Sequence, residues 1–245
     1  MRLDIYLTEI GECQSRTEAK KLITASAVSV NGRAVTKPSF EIYGDEDVVV
    51  DKSGLRFVSR GGFKLDAALD AFKITVDGAL AIDIGASSGG FTDCLLKRGA
   101  QHVIALDSGH GQLVESLRNH SAVTVLENYN ARYMRREDFE YAPNLAVMDV
   151  SFISATLIFP SLARVLSYGA DYVCLIKPQF EVGRSGIGKG GIVKNGKLRD
   201  EAVKRVIDSA EATGFVFVDM IESPILGGDG NTEYLAHFKV GELPK

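Results

Sequence analysis

The sequence predicts an α/β protein: a doubly wound, mainly parallel sheet covered by helices, preceded by a small α+β domain. Three observations carry this reading. From Phe63 onward, apolar runs of strand length alternate with segments of helical period, as parallel strands joined by crossover helices require. Within that alternation, Asp83-Ile84-Gly85-Ala86-Ser87-Ser88-Gly89-Gly90-Phe91 closes the apolar run Ala79 to Ile84 and opens the amphipathic run Phe91 to Arg98. Residues 1–58 follow a different logic, with two short helices ahead of a hairpin.

In that leading segment, Met1 to Ile10 reads as a helix with Leu3, Tyr6, Leu7 and Ile10 on one face. Ser15-Arg16-Thr17-Glu18 is a capping box, in which Ser15 and Glu18 satisfy backbone donors reciprocally. It opens a helix that turns Ala19, Leu22 and Ile23 inward and Arg16, Lys20 and Lys21 outward. Val28-Ser29-Val30-Asn31-Gly32-Arg33-Ala34-Val35 alternates around Asn-Gly, the signal for a type I′ hairpin. Val48 to Val50 supplies another strand. Residues 52–62, with Gly54, Gly61 and Gly62, read as a connector.

The second segment runs from 59 to 245. Helices are expected at 64–72, 91–98, 111–118, 155–167 and 198–213, and strands at 79–84, 102–107, 123–127, 145–150, 171–176, 215–221 and 233–240. Ligands of such sheets sit beyond the carboxyl ends of the strands. Asp83, Asp107, Asp149 and Lys177 all fall there.

With 245 residues and 45% hydrophobic side chains, the chain can bury proper cores. No apolar run approaches transmembrane length, and the charged start Met1-Arg2-Leu3-Asp4 does not read as a signal peptide. Cys13, Cys94 and Cys174 are too few and scattered for a disulfide framework, which points to reduced thiols and a cytoplasmic protein. Four histidines without ligand spacing give no metal site. A net charge of −4 gives no global signature of nucleic-acid binding, so any RNA contact must come from local patches.

The glycine-rich turn brings bare backbone and a helix start against a nucleotide-like ligand. Asp107, ending the next strand, is where ribose hydroxyls are bound. A dinucleotide fold would place glycine where Ser87 stands. The ammonium and sulfonium centres of S-adenosylmethionine suit carboxylates at Asp83 and Asp149, which a pyrophosphate would not. Gly183 to Gly190 nearly spells a phosphate-binding loop, but Gly190 stands where a Ser or Thr hydroxyl should hold magnesium. It reads as a loop bordering the substrate site.

The capping box, basic helix and Val-Asn-Gly hairpin, with Arg2, Arg16, Lys20, Lys21 and Arg33, resemble the RNA-binding fold of ribosomal small-subunit protein four. Over its full length the chain resembles the TlyA family, which joins that fold to a methyltransferase similar to the FtsJ type. The marks are Ser59 to Lys64, Asp83 to Phe91, Val147 to Ser154, Leu175 to Glu181 and Gly230 to Tyr234. The resemblance implies a seven-stranded Rossmann-like methyltransferase sheet and methylation of a ribose 2′-hydroxyl by a Lys-Asp-Lys-Glu tetrad. The matching positions are Lys64, Asp149, Lys177 and Glu233. It further implies S-adenosylmethionine as cofactor, held by Gly85, Ser87, Gly89 and Phe91 around the methionyl part, by Asp107 at the ribose and by Asn130 near the adenine. Asp83 and Asp149 join that set. Arg60 extends the RNA-binding set, and the implied partner is ribosomal RNA in a ribosomal subunit, methylated on a cytidine. A chain without terminal extensions looks like the subtype associated with the large subunit.

A lysine in the site can orient the 2′-oxygen or take its proton. At a reference pKa of about 10.4, roughly one lysine in a thousand or fewer is neutral at pH 7. Lys64 would favour proton loss from Lys177, and Asp149 and Glu233 would oppose it. Both roles stay open. Taken singly, Lys64 reads equally as a surface lysine, Glu233 as an edge carboxylate and Asp149 as a helix cap. Competing functions are a non-catalytic RNA-binding assembly factor, a small-molecule or protein methyltransferase and a haemolysin-like membrane-active protein. No basic amphipathic segment with a strong apolar face supports the last of these.

Overall fold

A computed structural model of the chain describes residues 1–24, 27–50, 56–183, 186–227 and 230–241, with only the backbone described at Lys189. Gly54 of the expected connector and two positions of the glycine-rich loop, 184 and 185, lie outside these residues. The chain divides into two compact units, Met1–Gly61 and Gly62–Lys245.

In the first unit, helices α1 (Leu3–Glu9) and α2 (Arg16–Thr24) precede strands β1 (Val28–Val30), β2 (Arg33–Ala34) and β3 (Val48–Val50). The strands form an antiparallel sheet in the order β2-β1-β3. Leu3, Leu7, Ala19, Leu22, Ile23 and Val28 form its core. Ile10 departs from its expected inward face and is 46% exposed, because α1 has ended and Ile10 is its C-terminal cap. The capping box is only half formed. Ser15 Oγ accepts from the Glu18 amide at 3.2 Å, whereas the Glu18 carboxylate takes the Gln14 amide at 2.7 Å instead of that of Ser15. The hairpin turn has φ of 50° at Asn31 and 73° at Gly32, the left-handed pair that a type I′ turn demands.

Helix α3 (Gly61–Ala71) begins at the last residue of the first unit and otherwise belongs to the second. Gly61 and Gly62 therefore begin a helix rather than close a connector. There follow β4 (Leu80–Ile84), α4 (Gly90–Lys97), β5 (His102–Leu106), α5 (Glu115–Arg118), β6 (Val123–Leu126), β7 (Leu145–Met148), α6 (Phe159–Val165), β8 (Asp171–Ile176), α7 (Pro178–Glu181), α8 (Gly196–Glu211), β9 (Phe215–Glu222) and β10 (Tyr234–Val240). They build a seven-stranded sheet in the order β6-β5-β4-β7-β8-β10-β9. The pairings among β6, β5, β4, β7 and β8 are parallel, and β10 runs antiparallel to both its neighbours. The geometry follows from the connections. Among the described residues no helix intervenes between β9 and β10, and strands joined without a crossover helix pair antiparallel.

Two expected helices are shorter than their periodicity suggests. The 111–118 segment is helical only from Glu115, since Gly111 sits at φ 69°. The 155–167 segment splits into a 3-10 turn, Ala155–Leu157, and α6, because Pro160 enters the first turn of α6 and cannot continue a preceding helix. Strand β7 stops at Met148, which frees Asp149 and the residues after it to leave the sheet. Ile82, Ile104, Met148, Phe159, Tyr172 and Phe238 belong to the main core. None of the described helices is long and apolar enough to cross a membrane.

Candidate active site

At the carboxyl ends of β4, β5 and β7 lies a cavity of about 400 Å³, whose lining includes Gly85, Ser87, Asp107, Gly109, Asn130 and Asp149. The chain turns sharply after β4, with φ of 83° at Gly85 and 47° at Ser87. A Cβ on Gly85 would lie 2.5 Å from the Asp149 carbonyl oxygen, so only glycine lets the two loops meet. Asp107 accepts from the Ser87 amide at 2.8 Å and from the Gly109 amide at 2.7 Å. One lone pair on each oxygen is thereby used, and the others can receive a pair of vicinal hydroxyls. The Gln112 carbonyl accepts from Ser87 Oγ at 3.2 Å and lies over the same end.

Three expected cofactor contacts fall outside this lining. Asp83 is fully buried and accepts from Thr92 Oγ1 at 2.6 Å. Burial, reinforced by the Asp149 and Asp107 charges, raises its carboxyl to about 7 against the pull of Thr92. That bond ties β4 to α4, and the other Asp83 oxygen has no hydrogen-bond partner among the described residues. Gly89, at φ 98°, lacks a Cβ because one would strike the Leu117 and Leu113 side chains. Phe91 is 3% exposed within α4. Asn130 does line the cavity, but its side-chain oxygen accepts from the Arg132 amide at 3.1 Å and caps a 3-10 turn.

The four side chains of the tetrad form two ion pairs. Lys64 Nζ lies 2.5 Å from Glu233 Oε2, with both side chains at most 5% exposed. Gln179 Nε2 donates to the other Glu233 oxygen at 3.0 Å. Lys177 Nζ lies 2.5 Å from Asp149 Oδ1, and its aligned hydrogen bond goes to Ser151 Oγ at 2.7 Å. The strands explain how positions so distant in sequence meet. Tyr234 pairs with Ile176 at the end of the β10–β8 ladder, and Glu233 and Lys177 are the next residue beyond that pair on each chain segment. Asp149 and Ser151 reach Lys177 from the loop after β7, the neighbouring strand.

Sequence reasoning missed the loop after Asp149. Phe152 is 91% exposed at φ 65°, a backbone state that costs a non-glycine residue about 1–3 kcal/mol. Its ring centroid lies 5.2 Å from that of Phe180, and the Phe180 ring is 5.9 Å from Lys177 Nζ. Glu181 holds the loop, accepting from Ser154 Oγ at 2.6 Å and from the Ala155 amide at 2.8 Å. Burial raises the Glu181 carboxyl above its ordinary value. The sequence contained one signal, a large apolar residue directly after a polar strand end.

In the first unit, Arg2 and Arg16 are less free than expected. Both bind the buried carboxylate of Asp4, at 2.9 Å each, and hold its pKa at about 2, Arg2 most strongly. Lys20, Lys21 and Arg33 are exposed, and Arg60 is half-buried just ahead of α3. No cluster of His, Cys, Asp and Glu suited to a metal occurs among the described residues.

Comparison with known proteins agrees with this geometry. The profile of the FtsJ-like methyltransferases matches residues 57–240, and that of the S4 domain matches residues 1–49. The chain is 44% identical over 234 residues to the 16S/23S rRNA (cytidine-2′-O)-methyltransferase TlyA of Mycobacterium tuberculosis, covering 95% of this chain and 87% of the relative. It is 30% identical over 259 residues to the 23S rRNA (cytidine-2′-O)-methyltransferase TlyA of Campylobacter jejuni, covering 97% and 99%. A solved structure from Streptococcus thermophilus that carries the name hemolysin superposes with a TM-score of 0.79 at 42% identity, covering 100% of this chain and 90% of that one. The chain belongs to the TlyA family, in which an S4 domain precedes an FtsJ-like methyltransferase.

Proposed function

We propose that this protein transfers the methyl group of S-adenosylmethionine to the 2′-hydroxyl of a cytidine in ribosomal RNA. The substrate we favour is large-subunit (23S) RNA, which the names of both TlyA relatives share. Residues 1–58 would dock the folded RNA and residues 59–245 carry the reaction, in the cytoplasm. The observation that carries this reading is the Lys177–Asp149 contact, whose Asp149 lines the cavity, together with the buried Lys64–Glu233 contact that joins α3 to the residue ahead of β10.

The cavity suits the cofactor by its chemistry. Asp107 offers carboxylate lone pairs to ribose hydroxyls, Gly85 gives close backbone approach and Asp149 supplies negative charge toward a cationic centre. When bound, S-adenosylmethionine supplies an electrophilic methyl group. The chain's own work is positioning and charge. Asp149 and Ser151 fix the Lys177 ammonium, which keeps donor capacity for the ribose 2′-oxygen. As that oxygen bonds to the methyl carbon, the carbon–sulfur bond breaks and the hydroxyl proton passes to water, while Lys177 meets the negative charge that develops on the oxygen. Lys64 and Glu233, locked with Gln179, complete the wall that orients the sugar. Phe152, exposed beside Lys177's neighbour Phe180, offers a face on which an unstacked base can rest.

The test is transfer of labelled methyl from S-adenosylmethionine to separated ribosomal subunits, followed by mapping of the modified nucleotide. Label on a cytidine 2′-oxygen is expected. Label confined to a base, or none on any ribosomal RNA, would overturn the assignment.

A further inference from the structure

The segment between β6 and β7 borders a second cavity of about 530 Å³, which shares Tyr129 and Asn130 with the first. Its backbone is firmly held. Ala131 and Met134 are buried in the core, Asn130 caps the turn Ala131–Tyr133, and Ser161 Oγ of α6 donates to the Ala131 carbonyl at 2.6 Å. The outward side of this fixed turn is basic and aromatic. Tyr133 is 67% exposed, with the Arg132 guanidinium 5.4 Å from its ring centroid. Arg135 and, from α6, Arg164 line the same hollow.

Asp138 is the one carboxylate in the lining, against the three guanidiniums of Arg132, Arg135 and Arg164. It binds Arg135 at 3.2 Å and also accepts from the Tyr129 hydroxyl. Glu137 stands outside the lining, 3.7 Å from Arg135. Arg164 is exposed and makes no hydrogen bond or ion pair among the described residues. A local positive excess in a chain of net charge −4 is not explained by the fold. Guanidiniums pair with phosphate oxygens in two-pronged fashion and stack on flat rings. An aromatic ring among cations is the composition of a surface that grips single-stranded nucleic acid without reading its sequence.

We propose that this hollow grips a single-stranded stretch of the RNA substrate flanking the methylated ribose. Arg135 and Arg164 meet successive phosphates, and Tyr133, backed by Arg132, stacks an adjoining base. This rests on the reading of the enzyme as an RNA ribose methyltransferase and adds a contact surface within the catalytic unit, separate from the S4 domain.

The experiment uses the full chain and ribosomal subunits, with methyl transfer measured against subunit and salt concentration. The double variant Arg135→Gln/Arg164→Gln is expected to raise KM for subunits about tenfold, leave kcat within about twofold and flatten the log–log salt dependence by about 1.4, the single-strand value for two phosphate contacts. Tyr133→Ala is expected to raise KM, and Tyr133→Phe to restore it. Cofactor affinity by calorimetry and Tm serve as checks on the fold. Should the double variant melt early, Arg164→Gln alone decides, since it breaks no bond of the fold. An unchanged KM and salt slope in a normally melting variant would overturn the inference, as would Tyr133→Phe behaving like Tyr133→Ala. A wild-type enzyme that labels no ribosomal RNA would instead overturn the functional reading itself.

Discussion

Lys64 and Lys177 carry the same chemical group in opposite settings. Lys64 is 4% exposed and locked to a carboxylate that is itself buried. Removing Glu233 would strand a buried ammonium, which typically costs about 3–5 kcal/mol. Glu233→Ala is therefore expected to lower stability by that order in urea titration and to lose methylation with it. Lys177 and Asp149 are more open, with side chains 12% and 23% exposed, so Lys177→Ala should melt within a few degrees of wild type. Its kcat should nevertheless fall at least about a hundredfold, the usual scale for one electrostatic group at the reacting atom. A Lys177→Ala enzyme that kept most of its kcat would remove this residue from the mechanism. Asp83 has a different readout. Its folded carboxyl sits near 7, above the ordinary 3.8, so the folded state binds the extra proton. Stability from this group is fully present below about pH 4 and lost as pH rises through about 7. Asp83→Asn should then flatten the decline of Tm between pH 5 and pH 8, as differential scanning fluorimetry would show.

At the scale of elements, the loops that follow β4, β7 and β8 are held against one another by backbone approach and a single carboxylate. Gly85 cannot carry a Cβ without pushing on the Asp149 carbonyl, and its φ of 83° is unfavourable for alanine besides. Gly85→Ala is expected to weaken cofactor binding at least about tenfold by calorimetry, because a displacement of even 1 Å at such a site is costly. Much of this architecture was legible in the sequence. The parallel strands, the Asn31-Gly32 hairpin and the strand-end positions of Asp107, Asp149 and Lys177 follow from local periodicity and turn chemistry. What was hidden depends on partners remote in sequence. Asp83 was singled out by its charge at a strand end and Phe91 by the family resemblance, and neither signal shows that both side chains are buried against α4. Gly89 is favoured by its φ of 98°, and a Cβ there would also press on the terminal methyls of Leu113 and Leu117, which no pattern around the turn reveals. Pairing of Lys64 with Glu233 was legible only through family resemblance, since nothing local joins a helix near residue 64 to a strand end near residue 233. The exposed Phe152 had the opposite fault, for an apolar residue beside a strand end reads as core.

Across the whole molecule, acid acts on the two units with opposite sign. In the methyltransferase unit, Asp83 and Glu181 have folded pKa values raised by burial. Protonation of Asp83 favours the folded state as pH falls from about 8 toward 5, and protonation of Glu181 acts in the same direction. In the S4 unit, Asp4 is held at about 2 by Arg2 and Arg16. Its contribution is complete above about pH 4 and disappears only as pH falls through 2. The corresponding energy is about 1–2 kcal/mol once the half-exposed arginines are discounted for solvent screening. Calorimetry of the full chain should therefore show the methyltransferase transition moving to higher temperature between pH 8 and pH 5, while the S4 transition stays nearly fixed. Between pH 4 and pH 2 the S4 transition should fall, and Asp4→Asn should remove most of that fall. Depressed carboxylates in the methyltransferase unit, Glu127 and Asp171 among them, would begin to pull its own transition down over the same acid range. The discriminating window is thus pH 5 to 8, through which the Asp83 carboxyl titrates, and comparison with Asp83→Asn isolates its share. A methyltransferase transition whose pH dependence across that window was the same in wild type and Asp83→Asn would show that Asp83 takes up no proton on folding, and its carboxylate would return to consideration as a partner for the cationic cofactor.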